Sequence, residues 1–268
     1  MKEVKRAVIP AAGQGTRMQP VSLVLPKELL PVGMRPMIQF ALEEAIEAGL
    51  HQVAIVINRK KELIRDYFDR LGKCDPFNTV SIHYLYQEEA AGLADAVDQC
   101  RDWLQGEPFG LLLPDNVPGS PDYRFSSMIE LYERRQGTER RDVLGVIELG
   151  SAQSGFYGNS GRIDCRIVRP RVVEIERLHD KGKGTLQVAP GERILRTCGR
   201  YVLHHDFFHY LDLIRPGIEG EFDEVPVCQE IIRDRGALGY LIPTPLFDVG
   251  NPRGYLAANA YELRSHPG

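Results

Sequence analysis

Along the first half of the chain, short apolar runs alternate with amphipathic stretches. Arg6 to Ile9 reads as a strand and Pro36 to Ala48 as a helix, with Pro36 in the first turn, where its missing N–H costs no hydrogen bond. Gly49 ends that helix. Val53-Ala54-Ile55-Val56-Ile57 is an uninterrupted β-branched run, the pattern of a strand covered on both faces. A second helix fits Lys60 to Leu71, followed by a strand from Val80 to Tyr86. A helix from about Leu93 to Leu104 and a strand from Phe109 to Leu113 complete the series. Strands separated by helical stretches imply βαβ units, and these imply a mostly parallel sheet with helices on both faces.

The second half has a different pattern. Val143 to Leu149, Arg162 to Val168, Val172 to Glu176 and Cys198 to Leu203 read as strands with little helix between them. Short helices cover Asp206 to Ile214 and Pro226 to Asp234, and Pro252 to Leu263 closes the chain. His179-Asp180-Lys181-Gly182-Lys183-Gly184 is polar and glycine-rich, and reads as a mobile loop. The expected fold class is α/β, a Rossmann-like mixed and mostly parallel sheet with helices on both faces and a small β-rich part.

Composition narrows the function classes. The 268 residues are 43% hydrophobic, enough for one sizeable core. A formal net charge of −4 with 26% charged residues provides no basic field for nucleic acid and no polybasic patch for a membrane surface. No apolar run approaches the roughly 18 residues needed to span a bilayer, and the first residues show no signal peptide. Five scattered cysteines, never at C-x-x-C spacing, argue against a disulfide framework or a zinc ribbon. The expectation is a cytosolic, soluble protein.

The strand at Arg6 to Ile9 runs into Pro10-Ala11-Ala12-Gly13-Gln14-Gly15-Thr16-Arg17. Gly13 and Gly15 let the backbone approach a ligand closely and point N–H groups at an anion, and Arg17 can grip phosphate oxygens as a charged fork. Two familiar phosphate loops fail on spacing. The dinucleotide fingerprint G-x-G-x-x-G would need a glycine where Met18 stands, and G-x-x-x-x-G-K-[ST] is absent. Taken alone, G-x-G is a glycine turn after a strand. Downstream, however, Pro26-Lys27-Glu28-Leu29-Leu30-Pro31-Val32 fixes Lys27 between apolar neighbours in a proline-bounded segment.

With eight residues between its halves, this two-part pattern, A-A-G-x-G-T-R then P-K-x-L-L-P-V, resembles the signature of the sugar-1-phosphate nucleotidyltransferases. Within them it is most similar to the bacterial UTP–glucose-1-phosphate uridylyltransferases. Gln87-Glu88-Glu89-Ala90-Ala91-Gly92-Leu93 resembles the family segment in which the glutamine reads a pyrimidine edge and the glycine lets the base lie on the backbone. An amide carries both donor and acceptor, so Gln87 can match uracil or thymine. Leu111-Leu112-Leu113-Pro114-Asp115 and Phe247-Asp248-Val249-Gly250-Asn251 resemble the segments whose aspartates hold Mg²⁺. Hard oxygen ligands suit that ion, and a carboxylate at a strand's carboxyl end lies where open α/β sheets bind ligands. Phe156-Tyr157-Gly158 and Gly199-Arg200-Tyr201-Val202 are similar to segments flanking the sugar pocket.

The resemblance therefore implies one nucleotide-diphospho-sugar transferase domain over 1–268, with 1–140 mainly nucleotide-binding and 141–268 mainly sugar-binding. It implies nucleotide contacts from Ala11, Ala12, Gly13, Gly15, Thr16, Gln87 and Gly92, catalytic charges at Arg17 and Lys27, and Mg²⁺ on Asp115 and Asp248. Tyr157 and Gly158 would border the sugar. The substrates implied are a nucleoside triphosphate, first UTP, and a sugar 1-phosphate, first a glucose-like one; dTTP, GTP or CTP with a modified sugar remain open. A homo-oligomer is expected. Two departures concern the acceptor. The family's V-E-K-P is replaced by Val173-Glu174-Ile175-Glu176-Arg177-Leu178-His179-Asp180-Lys181, where Glu176 takes the glutamate's place and Arg177 or Lys181 the lysine's. Glu221-Phe222-Asp223-Glu224-Val225-Pro226 stands where the uridylyltransferases have D-E-I-Q-L-T-D.

Other readings weigh less. His205 and His209 have the i,i+4 spacing of a helical zinc site but lack the glutamate of H-E-x-x-H. Asp206 is expected to open the helix there. Arg134-Arg135 and Arg140-Arg141 read as solvated helix-end charges. A non-catalytic nucleotide-sugar sensor would have lost Arg17, Lys27 or an aspartate, and an NAD-dependent dehydrogenase needs an acid where Asn58 follows the second strand.

Overall fold

The apolar runs become the strands of one nine-stranded sheet, in a computed structural model that describes residues 3–134, 141–182 and 184–265. Arg135, Arg140 and Lys183 lie outside the described residues. In chain order the elements begin with β1 (Arg6–Pro10), a small ladder of β2 (Pro31–Val32) with β3 (Arg35–Pro36), α1 (Met37–Glu47) and β4 (Gln52–Ile57). Next come α2 (Glu62–Leu71), β5 (Ser81–Tyr86), α3 (Leu93–Asp98), α4 (Arg101–Leu104), β6 (Phe109–Leu112), β7 (Asn116–Pro118) and α5 (Ser126–Glu133). The second half contains β8 (Val143–Gly150), α6 (Ser151–Ser154), β9 (Arg162–Arg169), β10 (Val172–Leu178) and β11 (Arg193–Leu203). It ends with α7 (Phe207–Ile214), α8 (Glu224–Arg235), β12 (Ala237–Leu241), β13 (Leu246–Asp248) and α9 (Pro252–Ser265).

The spatial order is β5-β4-β1-β6-β11-β8-β12-β10-β9. The first four strands are mutually parallel, with Val8 opposite both Ala54 and Leu111. β11 then runs antiparallel between β6 and β8, and β8 pairs in parallel with β12. Mixed pairing fits the sequence pattern: helices separate the first strands, whereas β9 and β10 are joined directly and can only pair antiparallel. Side-chain alternation divides the central strands between two cores. Ala7, Ile9, Val53, Ile55 and Ile57 face one side, with α1 and α5; Val8, Ala54 and Val56 face the other, with α3, α7 and α8. Burying each such aliphatic side chain stabilises by about 1.5–3 kcal/mol, so both faces hold the sheet flat against its helices.

Several elements differ from the sequence expectation for physical reasons. The helix expected over Leu93 to Leu104 is two, because Cys100 N–H turns back to Val97 O at 2.9 Å and tightens the chain between α3 and α4. The stretch from Lys60 begins as a 3₁₀ turn at Arg59–Lys61 that Asn58 caps through Lys60 N–H, at 3.0 Å. β12, Ala-Leu-Gly-Tyr-Leu, lacks β-branched residues and gave no strand signal. Phe207 and Phe208 of α7 are both buried. Among the described residues, no helix is long and apolar enough to cross a membrane.

Candidate active site

β1, β4 and β6 all point their carboxyl ends to one edge of the sheet, and a cavity of about 350 Å³ opens there. The loop leaving β1 forms its near wall. Lys61 Nζ donates to the carbonyls of Ala11 (2.8 Å) and Gly13 and to both carboxylate oxygens of buried Glu28. In a trans peptide the N–H opposes the C=O, so the N–H groups of Ala12 and Gln14 face away from Lys61, and both residues line the cavity. Gly15 adopts φ +69°, and a Cβ there would press on Ser22 and Lys27 at 3.3 Å. A side chain there would be strained by the backbone and crowded by both neighbours.

Lys27 enters from the Pro26 segment and donates to Asp115 Oδ2 at 2.9 Å. Burial would raise the Asp115 pKa, but the Lys27 charge and hydrogen bond, with Arg17 beyond, outweigh it and hold the carboxyl down at about 2. Burial likewise opposes the Lys27 charge, and Asp115 with Glu28 overcomes it, so Lys27 is raised above its ordinary range. Asp115 occupies the turn after β6, and a fully buried arginine fixes that turn. Arg200 donates to the carbonyls of Leu113 (2.8 Å) and Asn116 (2.6 Å), while Glu44 from α1 accepts from its Nε and Nη2 at 2.8 Å. The small ladder of β7 with β13 then sets Asp248 opposite Asn116, and Val249 N–H reaches Asp115 O at 2.8 Å. Asp248 accepts from Gly158 N–H (2.9 Å) and Gly250 N–H (3.2 Å). Arg17 stands between the two carboxylates, Nη2 at 3.8 Å from Asp115 and Nη1 at 3.9 Å from Asp248.

Gln87 and Gly92 close the next wall. Gln87 Nε2 donates to Gly92 O (3.0 Å) and Asp95 Oδ2 (2.9 Å); because both partners are acceptors, the amide orientation is fixed. Only its carbonyl is left for a ligand, a narrower role than the two-sided reading of the sequence. Gly92 has φ +106°, and a Cβ would lie 2.4 Å from Phe222 O. Lys181 Nζ sits between Asp223 Oδ2 (3.0 Å) and Glu224 Oε2 (3.2 Å), and Arg196, Thr197, Gly161 and Tyr201 line the same cavity.

A sequence profile of the nucleotidyl transferase family matches residues 6–265. The chain belongs to that family. It is 34% identical to UTP–glucose-1-phosphate uridylyltransferase 2 of Staphylococcus saprophyticus, across 96% of this chain and 91% of that one. It is 31% identical to UTP–glucose-1-phosphate uridylyltransferase of Bacillus subtilis, across 96% and 90%. Its backbone is similar to that of a UDP-glucose pyrophosphorylase complexed with UDP-glucose, with TM-score 0.82 and 26% identity over 98% of this chain and 100% of the other. The UTP-bound UGPase from Acinetobacter baumannii gives 0.79 and 26%, over 98% and 95%.

Nucleotidyltransferases of this family typically need a divalent metal, and the donor set at the cavity fits one. Asp115 and Asp248 supply hard oxygens around a common cation, Arg17, at ion-pair rather than hydrogen-bond distances. Arg17 is 54% exposed.

Most residues read from the nucleotidyltransferase motifs meet in this cavity: Ala12, Gly13, Gly15, Thr16, Arg17, Lys27, Gln87, Gly92, Asp115, Lys181 and Asp248 line it. Five others have different places. Ala11 is buried beneath the loop, with its carbonyl on Lys61. Tyr157 is buried behind the wall, its hydroxyl on Leu246 O, and Gly158 meets Asp248. Glu176 and Arg177 are exposed on β10, outside the lining, because a bulge at Ile175 to Arg177 turns both outward. Of the two cations weighed for the acceptor phosphate, Lys181 is the one in the cavity, where it makes two ion pairs. The motifs gave no notice of Lys61, Glu44 or Arg196, although a charge within the apolar run of β11 is a signal for the last. His209 takes no part in a metal cluster; the described residues that converge are His204, His205 and Asp206. They lie at the opposite sheet edge, where Leu203 pairs with Phe109, and Arg235 already reaches Asp206 Oδ2 at 3.4 Å.

Proposed function

We propose that the chain transfers the uridylyl group of UTP to glucose 1-phosphate or a close analogue, releasing pyrophosphate and forming a UDP-sugar. The observation that carries this reading is the approach of Arg17 to both Asp115 and Asp248, with Lys27 on Asp115, directly above the glycine loop. Names of relatives matched along nearly the whole chain support the choice of UTP and glucose 1-phosphate.

In this reading the N–H groups of the loop and Arg17 hold the triphosphate, and Lys27 draws charge from the leaving pyrophosphate. The Gln87 carbonyl accepts from the N3–H of uracil while Gly92 lets the base lie on the backbone. An oxygen of the sugar phosphate attacks the α-phosphorus; its bond forms as the bond to the bridging oxygen breaks. The attacking oxygen is already anionic near neutral pH, so no protein group removes a proton. Catalysis consists of holding two polyanions in line and neutralising them. Asp115 and Asp248 would hold Mg²⁺, which lends further positive charge to the phosphates. We read the chain as one domain acting as a cytoplasmic homo-oligomer.

Pyrophosphate release measured across pairs of nucleoside triphosphate and sugar 1-phosphate tests the assignment. UTP with glucose 1-phosphate is expected to give the highest kcat/KM. Another pair at least about tenfold better would reassign the substrate.

A further inference from the structure

Arg196 lies in β11 with only 6% of its surface exposed. Its Nε and Nη1 are buried without a hydrogen-bond partner, and its guanidinium stands 5.1 Å from the Tyr157 ring centroid. Arginine does not escape burial by losing its proton, so an unpaired guanidinium inside a protein is a costly group. It also lines the cavity, beside Gly161 and Thr197, whose N–H bonds Gly161 O at 2.7 Å.

The other cations lining the cavity are accounted for. Arg17 and Lys27 face the two aspartates. Lys181 is flanked by Asp223 and Glu224, so its surroundings carry more negative charge than it offsets. An anionic acceptor approaching Lys181 alone meets net repulsion. Among the described residues lining the cavity, Arg196 is the cation with no acid beside it, and it stacks on the residue preceding Gly158, which holds Asp248. The sequence resemblance sets Tyr157 and Gly158 at the border of the sugar.

We infer that Arg196 binds an oxyanion of the acceptor and so sets which sugar phosphates the enzyme takes. The inference rests on the transferase reading above. Two acceptor groups have the required chemistry, the 1-phosphate itself or a further acid on the sugar, such as a carboxylate; either accepts hydrogen bonds from the guanidinium fork.

Steady-state kinetics with UTP and either glucose 1-phosphate or glucuronic acid 1-phosphate test this in wild type, Arg196→Met and Arg196→Lys. Arg196→Met keeps a stem over Tyr157 and removes the charge. It is expected to raise KM for an acceptor by about tenfold or more, to leave KM for UTP within about twofold, and not to lower the unfolding temperature. A rise with both acceptors identifies the 1-phosphate as the partner; a rise with glucuronic acid 1-phosphate alone identifies the extra acid. Arg196→Lys, a point charge without the fork, should fall between wild type and Arg196→Met, and it supplies the comparison if the methionine variant does not fold. Acceptor KM values within about twofold of wild type in an enzyme that still turns over would overturn the inference while leaving the transferase reading standing. No pyrophosphate from wild type with any acceptor would remove both.

Discussion

At the residue scale, the site is a set of charges whose states are fixed by neighbours. Lys27 is the most consequential, since its ammonium lies within hydrogen-bond reach of Asp115 and is shielded from water. Replacing it with alanine is expected to lower turnover by about 100-fold, as losing one preorganised charge contact does, while circular dichroism remains native. Near-normal turnover would contradict its phosphate role. The pairing also has a pH signature. The folded-state pKa of Asp115 is held at about 2, below its ordinary value of 3.8, so its contribution to stability is present above the ordinary value and lost as pH falls through the folded one. Urea unfolding of wild type and Asp115→Asn should therefore differ by a constant amount from pH 5 to 9, and the difference should shrink below pH 4. Gln87 is a third case. With its amide hydrogens on Gly92 O and Asp95, its carbonyl alone is left to accept from a base. Uracil offers N3–H there, whereas neutral cytosine offers a lone pair, so Gln87→Ala should cut the preference for UTP over CTP by about tenfold, one lost hydrogen bond. Unchanged preference in competition assays would place base reading elsewhere. Arg17, Lys27, Asp115 and Asp248 were legible in the sequence because each lies in a short motif that fixes its neighbours. Glu176 was not placed correctly, since a β-bulge is a property of two paired strands and leaves no mark on one of them.

At the element scale, the Asp115 turn depends on a strut between layers. Glu44 on α1, Arg200 on β11 and the carbonyls around Pro114 form one buried network, joined by the Tyr123 hydroxyl at 2.7 Å from Glu44. Glu44→Ala leaves Arg200 buried without its counter-charge, which costs about 3–5 kcal/mol. Chemical denaturation should show that loss, together with a fall in kcat as the turn loosens; a change below about 1 kcal/mol would show that the strut is not structural. The strands of the parallel half were legible because β-branched runs and intervening helices follow from local chemistry. The strut was not, because Glu44 reads as an ordinary polar position of an amphipathic helix until β11 is placed across from it. The β7–β13 ladder escaped for a similar reason: each strand is three residues long, and only their pairing brings Asp248 to Asp115.

At the scale of the whole molecule, the parallel half presents the glycine loop and Lys27 and the mixed half presents Arg196 and Thr197 to the same cavity, with β11 running through the junction. The sheet order explains how aspartates distant in sequence reach one guanidinium: β6 delivers Asp115 to the carboxyl edge, and the chain returns through β13 to the same edge. Metal-assisted uridylyl transfer is the reaction proposed for this junction. Its most direct test is pyrophosphate release by the purified protein supplied with UTP, glucose 1-phosphate and Mg²⁺, alongside Asp115→Ala and Asp248→Ala. Steady release by wild type, its abolition by EDTA and restoration by added Mg²⁺, and a loss of at least about 100-fold in each variant are the predicted results; release that persists in EDTA or in either folded aspartate variant would contradict the shared site.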